Sequence, residues 1–83
     1  MVNERQLRRV LSSRQLDVLR GVAEGLTNHA IAQRLGIATS SVINHLSAVY
    51  AALEIPQDCN PRVMATLDYL TATGQLVALP TTH

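Results

Sequence analysis

Ser40, Asn44 and Ser47 recur at i, i+4 and i+7, so a helix through them carries three short hydrogen-bonding side chains on one face. Ala48 and Ala51 extend that face with little bulk, and Ile43 and His45 lie on its flanks. Side chains of this size fit a major groove about 12 Å wide, where hydroxyls and amides bond base edges and an apolar group touches a thymine methyl. The amide of Asn44, in the middle of the face, can pair with adenine through two bonds. A solvated helix surface that happens to be small would have the same pattern, and spacing alone does not separate the two.

Other chemistry finds little support. His29 and His45 are far apart in sequence, with no Cys or further His at ligand spacing, so no metal site is expected. Cys59 has no basic neighbour, and Asp58 beside it would raise its pKa, which reads as an incidental loop thiol. The glycines are scattered and form no phosphate-binding loop. Arg5, Arg8 and Arg9 cluster as a solvated face usually does, a phosphate-binding or linker role being the sharper alternative. No residue set supports an enzyme or a cofactor.

The elements that must position the polar face are all helical. Asn3 and Gln6 can cap a short helix from Glu4 to Val10. Ser12 and Gln15 form a capping box for the next, with Leu11 and Leu16 as its hydrophobic staple. Leu16, Leu19, Ala23 and Leu26 follow at helical spacing, with Val22 beside them, and Gly25 ends the helix. Thr27 caps a helix over Asn28 to Leu35 with Ile31, Ala32 and Leu35 inward, closed by Gly36 with Ile37 folding back. The following helix spans about Thr39 to Leu53, with Val42, Leu46, Val49, Tyr50 and Leu53 as its apolar stripe. Two helices joined by Gly36-Ile37-Ala38 have the signature of a helix-turn-helix. Asn60 and Pro61 start a last helix reaching Thr73, with Gly74 as its stop. Its inner stripe is expected to be Val63, Leu67 and Leu70, leaving Ala65, Tyr69 and Ala72 on an outer strip suited to a two-fold contact.

Composition agrees with one small all-α domain. The 83 residues are 47% hydrophobic and 16% charged, with a net charge of +1 and no Phe or Trp, so the core is built from Leu, Val, Ile and Ala. All fixed positive charge is arginine, six of the seven lying before Gly36 against Glu4, Asp17 and Glu24. After it, Arg62 stands against Glu54, Asp58 and Asp68. This asymmetry allows a nucleic-acid partner without demanding one. A single Cys, no apolar run of about 20 residues and no apolar segment near the start lead us to expect a cytoplasmic protein with no membrane span.

Leu11-Ser12-Ser13-Arg14-Gln15-Leu16-Asp17-Val18-Leu19-Arg20 resembles the opening of LuxR-type (GerE-type) DNA-binding domains. Ala23 to Asn28, Ile31 to Ile37, and then Val42, His45-Leu46, Val49-Tyr50 and Leu53 continue the likeness in register over residues 11–55. Pro61 to Leu70 is similar to the last helix of actinobacterial response regulators of the NarL/FixJ type. The resemblance implies a four-helix LuxR-type helix-turn-helix over 11–74, with 1–10 as a linker or short extra helix and 75–83 as a flexible tail. It implies a sequence-specific transcription regulator that binds promoter DNA as a dimer, and the small apolar strip of the last helix leads us to expect a weak homodimer. The chain would be a stand-alone regulator or the output domain of a response regulator, with a receiver or sensor domain or RNA polymerase as further partners. Base contacts would fall on Ile43, Asn44 and Ser47, with Ser40 added from the outward face. Backbone contacts would fall on Thr27, Asn28, Ser41 and His45, with Thr39 added at the start of the recognition helix, and dimer contacts on the last helix.

The sequence also departs from the family's pattern. Ile43 and Ala52 stand where Lys is usual, Ala38 where a Ser caps the recognition helix, and Ala30 where Glu is usual. Thr39 to Leu53 thus holds no Arg or Lys, and each lost phosphate contact weakens binding and flattens its salt dependence. A helix-turn-helix used for protein contacts, its DNA affinity lost, is the competing expectation.

Overall fold

The computed structural model describes residues 3–75, which form five helices: α1 (Glu4–Val10), α2 (Ser13–Ala23), α3 (Asn28–Leu35), α4 (Thr39–Ala52) and α5 (Pro61–Ala72). No strand occurs among the described residues. Nearly all of the expected tail, from residue 76 on, lies outside them.

Local chemistry sets most helix boundaries. The Ser12 hydroxyl accepts from Gln15 N–H at 3.1 Å, and Gln15 Oε1 accepts from Ser12 N–H at 2.9 Å. Asn3 and Gln6 make the same reciprocal pair at the head of α1, at 2.9 Å each way. Both boxes satisfy helix-end donors that have no partner within the helix. Leu11 is buried and Leu16 packs against the same cluster, as a hydrophobic staple requires.

α2 is the central element, and apolar clusters lie on two sides of it. Leu19 joins Leu7, Leu11, Val49, Ala65 and Tyr69 on one side. Val18 and Val22 join Ile31, Ala32, Val42 and Leu46 on the other. The stripe Leu16, Leu19, Ala23, Leu26 therefore describes only part of its buried surface, and Val18, fully buried, lies beyond it. α2 and α3 approach closely because Gly21 has no side chain: a Cβ there would lie 2.7 Å from Ile31 Cγ1. α1 is an integral part of the core, since Leu7 is fully buried between α2 and α5. Burying one such leucine contributes about 2 kcal/mol.

The face of α5 is the reverse of the sequence expectation. Ala65 and Tyr69 are 0% and 8% exposed and belong to the core, and Ala72 packs partly buried against it. Val63 and Leu67, expected inside, are 53% and 40% exposed. Leu70, from the same expected stripe, does pack against the core. Both strips are apolar, so hydrophobicity alone does not choose between them. Alanine lets α5 lie close to its neighbours, and the tyrosine ring is buried with its hydroxyl accepting from Arg20 Nε at 3.2 Å. That bond also favours the charged form of Arg20. Ala65, Tyr69 and Ala72 are thus not an outer strip.

Tyr69→Glu, which places a carboxylate in this core, is expected to remove about 3–5 kcal/mol of stability. Tyr69→Phe, which loses only the bond to Arg20, should cost about 1 kcal/mol or less. Urea unfolding followed by circular dichroism measures both. A wild-type midpoint for Tyr69→Glu would contradict the burial of this ring.

Candidate nucleic-acid interface

Three residues join α3 to α4, and their geometry sets the angle between the helices. The Thr27 hydroxyl caps α3 by accepting from Ala30 N–H at 3.1 Å. At the other end Gly36 adopts φ +67°, in the left-handed region that a side chain disfavours. Ile37 N–H then bonds the Ala32 carbonyl at 3.0 Å and its side chain packs against the core cluster that contains Ile31, a Schellman end. Extended Ala38 follows, and α4 starts at Thr39.

Burial fixes how α4 is turned about its axis. Val42, Leu46 and Val49 are buried, which rotates Ser40, Asn44, Ser47, Ala48 and Ala51 outward, all exposed. Ile43 is 50% exposed on the flank of that face, and Thr39, Ser41 and His45 are half-buried along its edges. Within the described residues no side-chain hydrogen bond engages Ser40, Asn44 or Ser47, so their donors and acceptors are free for another molecule. The side chains expected to read bases thus share one face of α4. Those expected on the DNA backbone are split between the edges of α4 and the head of α3.

At the head of α3, Thr27 is exposed and its hydroxyl, accepting from Ala30 N–H, retains a proton to donate. Asn28 is half-buried, and its Oδ1 accepts from Arg62 Nη1 at 2.8 Å. Arg62 Nη2 also donates to the Leu26 carbonyl at 2.8 Å. Sequence reasoning did not single out Arg62. Its two acceptors lie more than 30 residues away, and its only local sign is its place two residues after the Asn60 cap of α5. Elsewhere Arg34 is paired with Glu24 at 2.8 Å and Arg8 with Glu4 at 3.2 Å, both exposed ion pairs of small energetic weight.

Neither end of α4 carries the residue type that usually closes a helix there. Asn3, Ser12, Thr27 and Asn60 cap the other helices with side-chain bonds, whereas Ala38 gives α4 none. At the C-terminus Glu54 adopts φ +53° while Ile55 N–H reaches back to the Tyr50 carbonyl at 3.4 Å. A glutamate holds here the left-handed position that glycine fills without strain. The Cys59 thiol lies 3.8 Å from Asp58 Oδ1, and among the described residues no three His, Cys, Asp or Glu side chains converge to hold a metal. Nor is any described helix long and apolar enough to cross a membrane.

An all-α unit in which α3, a three-residue turn and α4 present an exposed polar face is a helix-turn-helix module. Residues 9–65 match GerE, the bacterial regulatory proteins of the luxR family, and the chain belongs to that family. A curated protein of Mycobacterium tuberculosis, named "Putative HTH-type transcriptional regulator Rv0890c", is 46% identical over 46 residues, covering 55% of this chain. The aligned segment is 5% of that protein's length. No solved structure matches the chain significantly. The family match takes in α2, α3 and α4 whole, and leaves most of α1 and the second half of α5 outside it.

Replacing Glu54 by Gly should raise stability by about 0.5–1 kcal/mol, since the left-handed backbone then carries no Cβ. Urea unfolding tests this, and equal or lower stability would mean that Glu54 holds the position without strain.

Proposed function

We propose that this chain is the DNA-binding unit of a transcription regulator, with the outward face of α4 lying in the major groove. The observation that carries the reading is the exposed, unpaired polar face of α4 above a fully buried apolar one, in a member of the luxR family. Asn44 is the main base-reading side chain, and Ser40, Ile43 and Ser47 contact bases around it. Thr27, Asn28, Thr39, Ser41 and His45 hold the DNA backbone and set the register of the helix. With no cation on α4, affinity is modest and its salt dependence shallow. The name of the mycobacterial relative supports the regulatory role, and a DNA target in a bacterium implies the cytoplasm as the site of action. A receiver or sensor domain and RNA polymerase are the further partners of such a unit.

The bare recognition helix also favours a second reading, a helix-turn-helix that binds another protein. Selecting bound sequences from a random DNA pool, then measuring the dissociation constant across a salt series, separates the two. DNA reading requires a selected sequence and a negative slope, and absence of binding at low salt would select the protein-contact reading. Asn44→Ala is expected to lose about 1–3 kcal/mol on the selected site and much less on random duplex. Equal losses on both would make Asn44 a positioning residue and not a reader.

Self-association is assigned to α5, through Val63 and Leu67. These side chains stand one turn apart on its exposed side, 53% and 40% exposed. A strip this small supports a weak two-fold contact, strengthened when two copies lie on adjacent half-sites. Leu67→Glu is expected to remove cooperativity on paired half-sites while leaving single half-site binding and the melting temperature nearly unchanged. Sedimentation with a two-site binding assay checks this, and intact cooperativity would move the contact elsewhere.

A further inference from the structure

We propose that Arg62 is a positioning residue for recognition of the DNA backbone, acting through Asn28. The inference rests on the DNA-binding reading above. Arg62 begins α5, yet its guanidinium spans to the head of α3 and donates to Asn28 Oδ1 and to the Leu26 carbonyl, both at 2.8 Å. A guanidinium can only donate, so the amide oxygen of Asn28 must be the atom turned toward it. The Nδ2 group then faces away from Arg62, and no partner engages it among the described residues.

Three consequences follow for a phosphate approaching the first turn of α3. First, Asn28 has lost its rotational freedom before DNA arrives, so less entropy is lost when Nδ2 donates to a phosphate oxygen. Second, a charge-assisted bond to Oδ1 polarises the amide and makes its N–H groups better donors. Third, both acceptors of Arg62 are neutral, and no carboxylate pairs with it among the described residues. Its positive charge is therefore held in no ion pair among the described residues. It sits half-buried beside a shallow depression lined by Gly25, Leu26, Thr27, Asn28 and His29. A helix-turn-helix with no cation on its recognition helix draws charge instead from Arg62, on α5, whose guanidinium lies at the head of α3. Lysine would supply the charge but not the fork, because one ammonium cannot hold two acceptors in that planar geometry.

The test is a thermodynamic cycle on one fixed duplex, with dissociation constants measured over a salt series well below every melting temperature. Arg62→Gln is expected to weaken binding about tenfold, alike on selected and random duplex, and to flatten the salt slope by up to about one unit. Asn28→Ala should weaken it by a smaller factor with the slope unchanged, and the double variant should bind no worse than Arg62→Gln alone. Arg62→Lys, which also covers a failure of the Gln variant to fold, should keep the wild-type slope at an intermediate affinity. Wild-type affinity in Arg62→Gln, with only its melting temperature lowered, would reduce the tie to a structural brace and overturn the proposal. Losses that multiply in the double variant would overturn it as well, since Arg62 would then act without Asn28. Wild-type protein that binds no duplex at low salt would instead overturn the DNA-binding reading, and this proposal with it.

Discussion

The seat of α3 on α2 is the constraint from which the rest of the molecule follows. Gly21 leaves room for Ile31 where a single carbon would come within 2.7 Å of it. Ile31 in turn packs in one cluster with Val18, Val22, Val42 and Leu46, so the depth of α3 governs where α4 can rest. Three linking residues, with Gly36 held left-handed, leave α4 little freedom to slide. Once Val42, Leu46 and Val49 are inside, Ser40, Asn44 and Ser47 are outside. Presentation of the polar face is thus a consequence of close packing two helices away from it.

What could be read from the sequence divides along physical lines. Features set within a few residues were legible. The capping boxes at Asn3–Gln6 and Ser12–Gln15, the Thr27 cap and the left-handed Gly25 and Gly36 all appear where residue type and spacing put them. The orientation of α4 was legible too, because only one of its faces is apolar enough to bury. α5 was not, because it has two apolar strips. The choice between Val63–Leu67 and Ala65–Tyr69 is made by how closely α1, α2 and α5 approach, and by a bond from Arg20 that lies 49 residues from Tyr69. Val18 escaped for a related reason: a helix covered on two sides has a wider buried arc than one stripe describes. The tie from Arg62 to Asn28 and Leu26 depends wholly on tertiary placement, and no local pattern encodes it.

The division of labour in the site follows from where the charges lie. α4 has neither Arg nor Lys and neither Asp nor Glu, so in the proposed complex it would meet DNA with hydrogen bonds and shape alone. A neutral reading helix discriminates between bases through its amide and hydroxyl groups but adds little attraction to phosphate. In the proposed complex the attraction would have to come from elsewhere on the fold, and Arg62, on α5 beside the head of α3, has no carboxylate partner among the described residues. Such an arrangement would favour specificity over raw affinity, and the proposed cooperation between two copies on DNA would matter more than for a cation-rich helix.

The central claim is that DNA contacts the outward face of α4 and the first turn of α3. Mapping nuclear magnetic resonance shifts while a short duplex is added at low salt tests it most directly. The largest changes are expected at Ser40, Ile43, Asn44 and Ser47, including the side-chain amide of Asn44, together with Thr27 and Asn28. Changes concentrated on α1, or no change at any duplex concentration, would contradict it.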